Sequence, residues 1–406
     1  SRAQAFVQSS RGVVLQSEAW GPAAYVAKVR ALRPMSVGKA VGSSFLPAKD
    51  SLDHRAASRL RILAGHFLEL LCGCASGLAA VATGSSSAPA VAAAEEEELL
   101  ATVNYLSRDA PDTGLYAVGT FPPKVGVRRD RLGNDVEVFG NEKAPTSVRL
   151  VNARDFNLNL DQHATQLVKA PFRSLDFCDI DVVLTEYYDE CCRLVQEATG
   201  ARKVLAFDHN IRSKRKAGDA MGGGFAVQPP LALVHGDYTE ESAMRRVRDM
   251  TKVPTKNDTL RRVLGDKPPL EESAEELLSH RFCLINVWRS IHPCPIERSP
   301  LGILSPASIS EKEIIVHEIH YEDRIGENYN ARHADSHVWW VFPRMHTDEA
   351  LLLKCWDSAG AFARKPPPGL SEPVESTFAF HAALDVPVRP DAPDRESIEV
   401  RTIALF

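Results

Sequence analysis

The sequence predicts an α+β fold, a double-stranded β-helix of jelly-roll, cupin-like type with flanking helices. Three observations carry this expectation. One helix is clearly signalled at 180–200, many short strand-like runs follow it, and turn residues separate those runs without any fixed repeat. Helices first and strands afterwards describe an antiparallel sandwich or barrel, not an alternating parallel α/β chain.

The helix is IDVVLTEYYDECCRLVQEATG. It sets Val183, Leu184, Tyr187, Tyr188, Cys191, Leu194 and Val195 at helical spacing and closes on Gly200, a residue suited to a left-handed C-terminus. The strand-like runs are KVLAFDHNIR (203–212), LALVHGDYT (231–239), RFCLINVWRSI (281–291), EIIVHEIHY (313–321), HVWWVFPRM (337–345), LLLKCWDS (351–358), STFAFHAAL (376–384) and SIEVRTIALF (397–406). All are short, rich in β-branched or aromatic residues, and bounded by turn formers.

Ahead of these elements the chain has a different character. It opens on Ser, which predicts a fragment or a processed product. Residues 1–59 hold nine Lys/Arg against Glu18, Asp50 and Asp53, the bias of an organelle transit segment or of an untargeted disordered tail. LRILAGHFLELLCGCASGLAAVAT (60–83) is the most apolar run. Arg61, His66 and Glu69 interrupt it, so it reads as a helix or leader segment and is short for a membrane anchor. The Ser/Ala/Glu stretch at 84–98 has too little apolar surface to offset its ordering entropy. The expected organisation is therefore a leader or low-complexity segment with one apolar helix over 1–95 and a folded unit over 96–406.

A formal charge of −5 and a pI near 6.2 remove the broad basic field of a nucleic-acid binder. The eight cysteines are scattered; neither Cys72-Gly-Cys74 nor Cys191-Cys192 makes a zinc C-x-x-C pair. Reduced thiols in an intracellular compartment, cytoplasmic or organellar, are expected. Oligomeric state is not legible.

Three His-x-Asp pairs occur: His235-Gly-Asp237, His333-Ala-Asp335 and His346-Thr-Asp348. On a strand, residues i and i+2 face the same side and can reach one ion; on a helix they diverge. His235-Gly-Asp237 ends the run LALV, and Gly236 is expected to leave the opposite face open. His346-Thr-Asp348 precedes EALLLKC, where Thr347 or Asp348 reads as an N-cap or first-turn residue. His333-Ala-Asp335 lies in a polar loop and is expected to be solvated, with His333 and His337 as a minor metal candidate.

A two-His-one-carboxylate set suits iron(II), since it fills one face of an octahedron and leaves room for a bidentate cosubstrate and O2. His381 in STFAFHAAL is the candidate third ligand. Fourteen residues on, Arg395-Glu-Ser397 opens the terminal strand, where an Arg and a hydroxyl can clamp the distal carboxylate of 2-oxoglutarate. The plainer alternative makes His381 a satisfied core histidine and Arg395 a surface ion-pair partner.

At these residues the chain resembles the gibberellin-desaturase-like, cephamycin methoxylase CmcJ and AsaB-like proteins, non-haem iron, 2-oxoglutarate-type oxygenases of secondary metabolism. The likeness runs from about Leu100 to Phe406 through ATVNYL, LDQHATQLVKAP, VLAFDHNIR, VHGDYTEESAMRR, INVWRSI, WWVFPRM, EALLLKCWDS and RESIEVRTIALF. It implies His235, Asp237 and His381 as catalytic iron(II) ligands and Arg395 as cosubstrate anchor. Arg401 competes for that role, and Ser397 assists. Asn286, Trp288 and Arg289, with Asp208, His209 and Arg212, are implied pocket positions. The implied activity is hydroxylation or desaturation of a small-molecule metabolite with iron(II), 2-oxoglutarate and O2. A non-catalytic jelly-roll binding or partner protein assisting a methyltransferase is the alternative.

Other signals read as structural. Met221-Gly-Gly-Gly224 is a loop without a phosphate motif, and no G-x-S-x-G elbow supports a hydrolase. In EIIVHEIHY, His317 and His320 fall on opposite faces. Trp288, Trp339, Trp340 and Trp356 are expected in the core.

Overall fold

The computed structural model describes residues 99–406 apart from 114–122, 131–134, 141, 172–175, 219, 222–224, 256–257, 323 and 371. The expectations for residues 1–95 and for the triple-glycine loop fall outside the described residues. Described strands run, in chain order, β1 (Leu100–Leu106), β2 (Gly126–Arg129), β3 (Asp135–Phe139), β4 (Lys143–Asn152), β5 (Thr165–Lys169) and β6 (Lys203–Ser213). The pair β7 (Ala220–Met221) and β8 (Phe225–Ala226) follows, then β9 (His235–Gly236), β10 (Phe282–Ser290), β11 (Leu301–Leu304) and β12 (Ile314–His320). The last are β13 (Ile325–Ala331), β14 (Trp339–Val341), β15 (Glu349–Asp357), β16 (His381–Ala383) and β17 (Glu396–Leu405).

These strands form the jelly-roll. One sheet has the order β1-β4-β14-β11-β16-β9-β13-β12-β2-β3, and a second, antiparallel throughout, has β5-β15-β10-β17-β6. Both sheets contribute to the main core: Val103, Ile303, Trp339 and Trp340 from the larger, Leu284, Trp288, Leu351 and Ile403 from the smaller. The outer face of the smaller sheet, with Ile285, Val287, Leu352, Ile398 and Val400, makes a second core against a helix. Each central strand is thus buried on both faces; all nine residues of β10 are.

The covering helix follows the sequence expectation. A first turn at Ile180–Val182 continues through a π-type turn at Val183–Tyr187 into α1 (Tyr188–Thr199), and Gly200 caps it at φ 69°. Asp179 supplies the N-cap by accepting from the Asp181 and Val182 N–H groups. Tyr187, Tyr188, Cys191, Leu194 and Val195 are the buried stripe. A second helix, α2 (Glu240–Met250), which the sequence reading did not separate out, starts on a Thr239/Ser242 capping box directly after the His-Gly-Asp segment.

Several strand readings contract. LALVHGDYT, HVWWVFPRM and STFAFHAAL supply two or three strand residues each, as β9, β14 and β16, with the rest packed as irregular backbone. Four strands, β1 to β4, precede the first described helix, so the helices-first order does not hold. His346-Thr-Asp348 does not begin a helix: Glu349 opens β15, paired to Lys169 of β5. The local turn preference yields to a ladder that satisfies the backbone on both sides of β15. Trp288, Trp339, Trp340 and Trp356 are buried as expected.

Glu349 also supplies a titratable latch. Its carboxylate accepts two hydrogen bonds from Arg154 at 2.8 Å each and one from the His346 N–H at 3.1 Å. The Arg154 bonds pull it down to about 2 from an ordinary 4.5, against the opposing effect of burial. A folded value below the unfolded one contributes stability above pH 4.5 that is lost as pH falls towards 2. Denaturation midpoints across that window should therefore fall more steeply for the wild type than for Glu349→Gln.

Candidate metal centre

Two neighbouring strands bring the histidines together. β9 lies between β13 and β16, and His235 pairs directly with His381. Their ring centroids are 4.4 Å apart. Asp237 follows β9 at the junction with α2, with its Oδ1 3.7 Å from His235 Nε2 and 4.0 Å from His381 Nε2. One ligand atom from each of the three lies within 4.8 Å of the others, and no other such group occurs among the described residues.

Hydrogen bonding selects the ring form each histidine presents. His235 Nδ1 donates to the Leu233 carbonyl at 2.8 Å, and His381 Nδ1 to that of Ala379 at 3.4 Å. A carbonyl only accepts, so the proton sits on Nδ1 and the Nε2 lone pair faces the centre. Burial, with the neighbouring His381, lowers His235 to about 4; burial likewise lowers His381. Both are neutral at pH 7. Burial alone would raise Asp237, but the Arg401 guanidinium, the two histidines and the Asn286 bond hold it well below the carboxylate range. Two neutral imidazoles and a carboxylate on one side of a closed site form a donor set that fits a divalent transition metal.

Gly236 does not face open space: a Cβ there would lie 3.4 Å from Phe378 Cδ2 and 3.7 Å from Phe380 Cδ1. Those rings close the far side of the HGD segment.

The smaller sheet faces this centre with polar rows set by register. Asn286 of β10 opposes Arg401 of β17, which opposes Asp208 of β6. Next come Trp288, Glu399 and Asn210, then Ser290, Ser397 and Arg212. Asn286 Nδ2 donates to Asp237 Oδ2 at 2.7 Å. Arg401 Nη1 bonds Asp208 at 2.8 Å, while its Nε stands 3.7 Å from Asp237 Oδ2 and its Nη2 3.4 Å from Glu399. Arg395 is 4% exposed, donates from Nη1 to the Ser299 carbonyl at 2.8 Å, and packs 5.5 Å over the Trp288 ring. Its Nε has no partner among the described residues. Burial and the nearby Arg212 push it down to about 9.

Two implied pocket residues lie elsewhere. Arg289 is three positions from Asn286 and so takes the other face of β10. It donates to the carbonyls of Ala170 and Thr347 at 2.7 and 3.0 Å and lies 5.7 Å over Tyr187. Arg289 is thus turned away from the centre, unlike the pocket position and cofactor contact implied for it. His209 likewise turns outward, 2.9 Å from the Tyr188 hydroxyl. The competing histidines are otherwise engaged. His337 contacts Tyr105 and Glu313 through its two ring nitrogens, which removes the His333/His337 alternative. His320 pairs with Glu318, two residues away on its own face, and His317 is buried on the other side of β12.

Sequence reasoning missed Glu399 and Cys355. Glu399 shares the period-two face of Ser397 and Arg401, so alternation along β17 was a usable signal. Cys355, whose Sγ is 3.7 Å from Asp237 Oδ2, carried no such signal.

A family model described as "Oxidoreductase/YMDC permease-like domain" matches residues 103–405. An uncharacterized protein from the dcmA 3' region of Methylophilus leisingeri is 35% identical over 204 residues, 47% of this chain and 89% of that protein. The alpha-ketoglutarate-dependent dioxygenase phiK of a fungal species is 28% identical over 67% of this chain and 89% of its own. Hydroxylase/desaturase efuI of Hormonema carpetanum is 25% identical, over 78% and 97%. Among solved structures, the iron and alpha-ketoglutarate-dependent endoperoxidase NvfI superposes with a TM-score of 0.55 at 20% identity, covering 76% of this chain and 98% of that one.

Proposed function

The chain belongs to the oxidoreductase/YMDC permease-like domain family, and we propose that it is an iron(II)- and 2-oxoglutarate-dependent oxygenase, a hydroxylase or desaturase of a small-molecule metabolite. The single observation that carries the reading is the buried His235, Asp237 and His381 set, with both Nε2 atoms and Oδ1 turned to one point. Relatives named as dioxygenases and hydroxylase/desaturases support it. A non-catalytic partner protein is not favoured, because a degenerate site has no need of a complete donor set inside a dry core.

His235, Asp237 and His381 would hold the iron. Bound iron(II) and 2-oxoglutarate supply the O2-dependent oxidising chemistry that removes a substrate hydrogen. The side chains supply placement. Arg395, immediately before β17 with Ser397 two residues on, is the proposed anchor for the distal carboxylate; its uncommitted Nε supports this, whereas Arg401 is tied to Asp208. Trp288, Trp356, Phe378 and Phe380 exclude water around the centre.

Anaerobic addition of iron(II) and then 2-oxoglutarate is expected to raise the weak visible absorption of the chelate, with succinate forming once O2 is admitted. Absence of both, across a panel of substrates, would overturn the proposal. No described helix is long and apolar enough to cross a membrane. An intracellular compartment, cytoplasmic or organellar, belongs to the same proposal, supported by the free thiols of Cys178, Cys191, Cys192, Cys283, Cys294 and Cys355.

A further inference from the structure

We propose that Asn286 and Arg401, with Asp208 behind Arg401, form a clamp that turns Asp237 Oδ2 into the protein and leaves Oδ1 as its one metal-facing oxygen. Arg401 is then a positioning residue for the ligand and not the anchor for the cosubstrate. This inference rests on the reading of His235, Asp237 and His381 as metal ligands.

The two carboxylate oxygens of Asp237 live in different surroundings. Oδ1 faces His235 Nε2 and His381 Nε2 at 3.7 and 4.0 Å. Oδ2 receives the Asn286 amide at 2.7 Å and has Arg401 Nε and Cys355 Sγ each at 3.7 Å. An aspartate on a divalent ion has a choice between one and two oxygens. Turning Oδ2 towards the ion would abandon the Asn286 bond and draw the carboxylate away from a guanidinium inside a buried site, where such contacts are hard to replace.

Sheet register keeps the clamp from relaxing. Asn286, Arg401 and Asp208 form one row across β10, β17 and β6; Asn286 and Arg401 cannot shift along their strands without breaking two ladders each, and Asp208 on the edge strand is held by its ladder to β17. Arg401 is held on both sides, by Asp208 at 2.8 Å and Glu399 at 3.4 Å. Its fork is therefore spent within the protein. Arg401 also supplies a cation beside Asp237 before any metal arrives, so the carboxylate is charge-compensated in the metal-free protein.

Cobalt(II) titration of the metal-free full chain under nitrogen tests this, because cobalt absorption weakens as coordination number rises. Wild type, Asn286→Ala, Arg401→Gln and Arg401→Lys would be compared, with calorimetry of 2-oxoglutarate on each cobalt-loaded protein. The expected result is cobalt affinity within about tenfold of wild type for Asn286→Ala and Arg401→Gln, with visible absorption lowered as Oδ2 joins the metal. Arg401→Lys should restore the wild-type spectrum, and 2-oxoglutarate affinity should change less than threefold in all. A role in folding alone would lower the melting temperature without moving the spectrum, and would overturn the clamp. Loss of 2-oxoglutarate binding in Arg401→Gln with an unchanged spectrum would also overturn it and make Arg401 the anchor. Should Arg401→Gln fail to fold, Asn286→Ala decides by the same spectral criterion. Failure of wild type to take up cobalt sinks the metal reading itself, an outcome distinct from an unmoved spectrum.

Discussion

His235→Ala and His381→Ala are each expected to lower iron(II) affinity more than about 100-fold and to abolish turnover. The scale follows from the ligand geometry. Losing a residue that merely orients a ligand costs roughly 10- to 100-fold in metal affinity, and removing one of three donors costs more. The substitution also leaves a gap beside the remaining imidazole that no neighbouring donor fills among the described residues. His333→Ala and His346→Ala provide the contrast. His333 sits at the edge of the Tyr105 ring, and His346 is exposed, so neither reaches the centre. Iron titration by loss of a chelator signal, paired with succinate yield, measures both quantities. Wild-type iron affinity in either the His235 or the His381 variant would remove that residue from the ligand set.

Arg395→Ala should behave differently, retaining the metal while weakening 2-oxoglutarate by about 1.5 to 3 kcal/mol, roughly 10- to 150-fold. A guanidinium that is buried, bonded on one nitrogen and pushed down by Arg212 gains from an incoming anion. The same substitution removes the packing over Trp288, so the melting temperature must be followed beside the binding isotherm. If Arg401→Ala weakens 2-oxoglutarate and Arg395→Ala does not, the anchor lies six residues further along β17. Unchanged affinity in both would end the cosubstrate assignment while sparing the metal site.

The centre was legible because its logic is local. Two side chains at i and i+2 at the end of an apolar run need only an extended backbone to converge, and β9 supplies it in two residues. His381 was legible through an ordered set of motifs, since nothing local tells which strand will lie beside β9. Arg289 shows the opposite limit. Proximity in INVWRSI suggested one pocket, whereas strand parity separates Asn286 from Arg289, and parity was readable once β10 was taken as a strand. The N-terminal strands were harder. β3 and much of β4 are exposed, so ladder pairing, β3 with nearby β2 and β4 with β1 and distant β14, and not burial, makes them strands. His346-Thr-Asp348 fits a helix start just as well as a strand approach, and only the β5 and β10 neighbours of β15 decide it.

The shortness of β9 has a mechanical consequence. The larger sheet is continuous only through this two-residue strand, which meets β16 at one residue pair and β13 at two. It is a seam, with His235 on it and His381 directly opposite on β16. A metal bound there acts as a rivet across the place where the sheet has fewest rungs. Its uptake should slow amide exchange at β9 and β16 more than at β10 or β15, which are buried on both faces and paired along their length. Loading the centre and stiffening the sheet would then be one event.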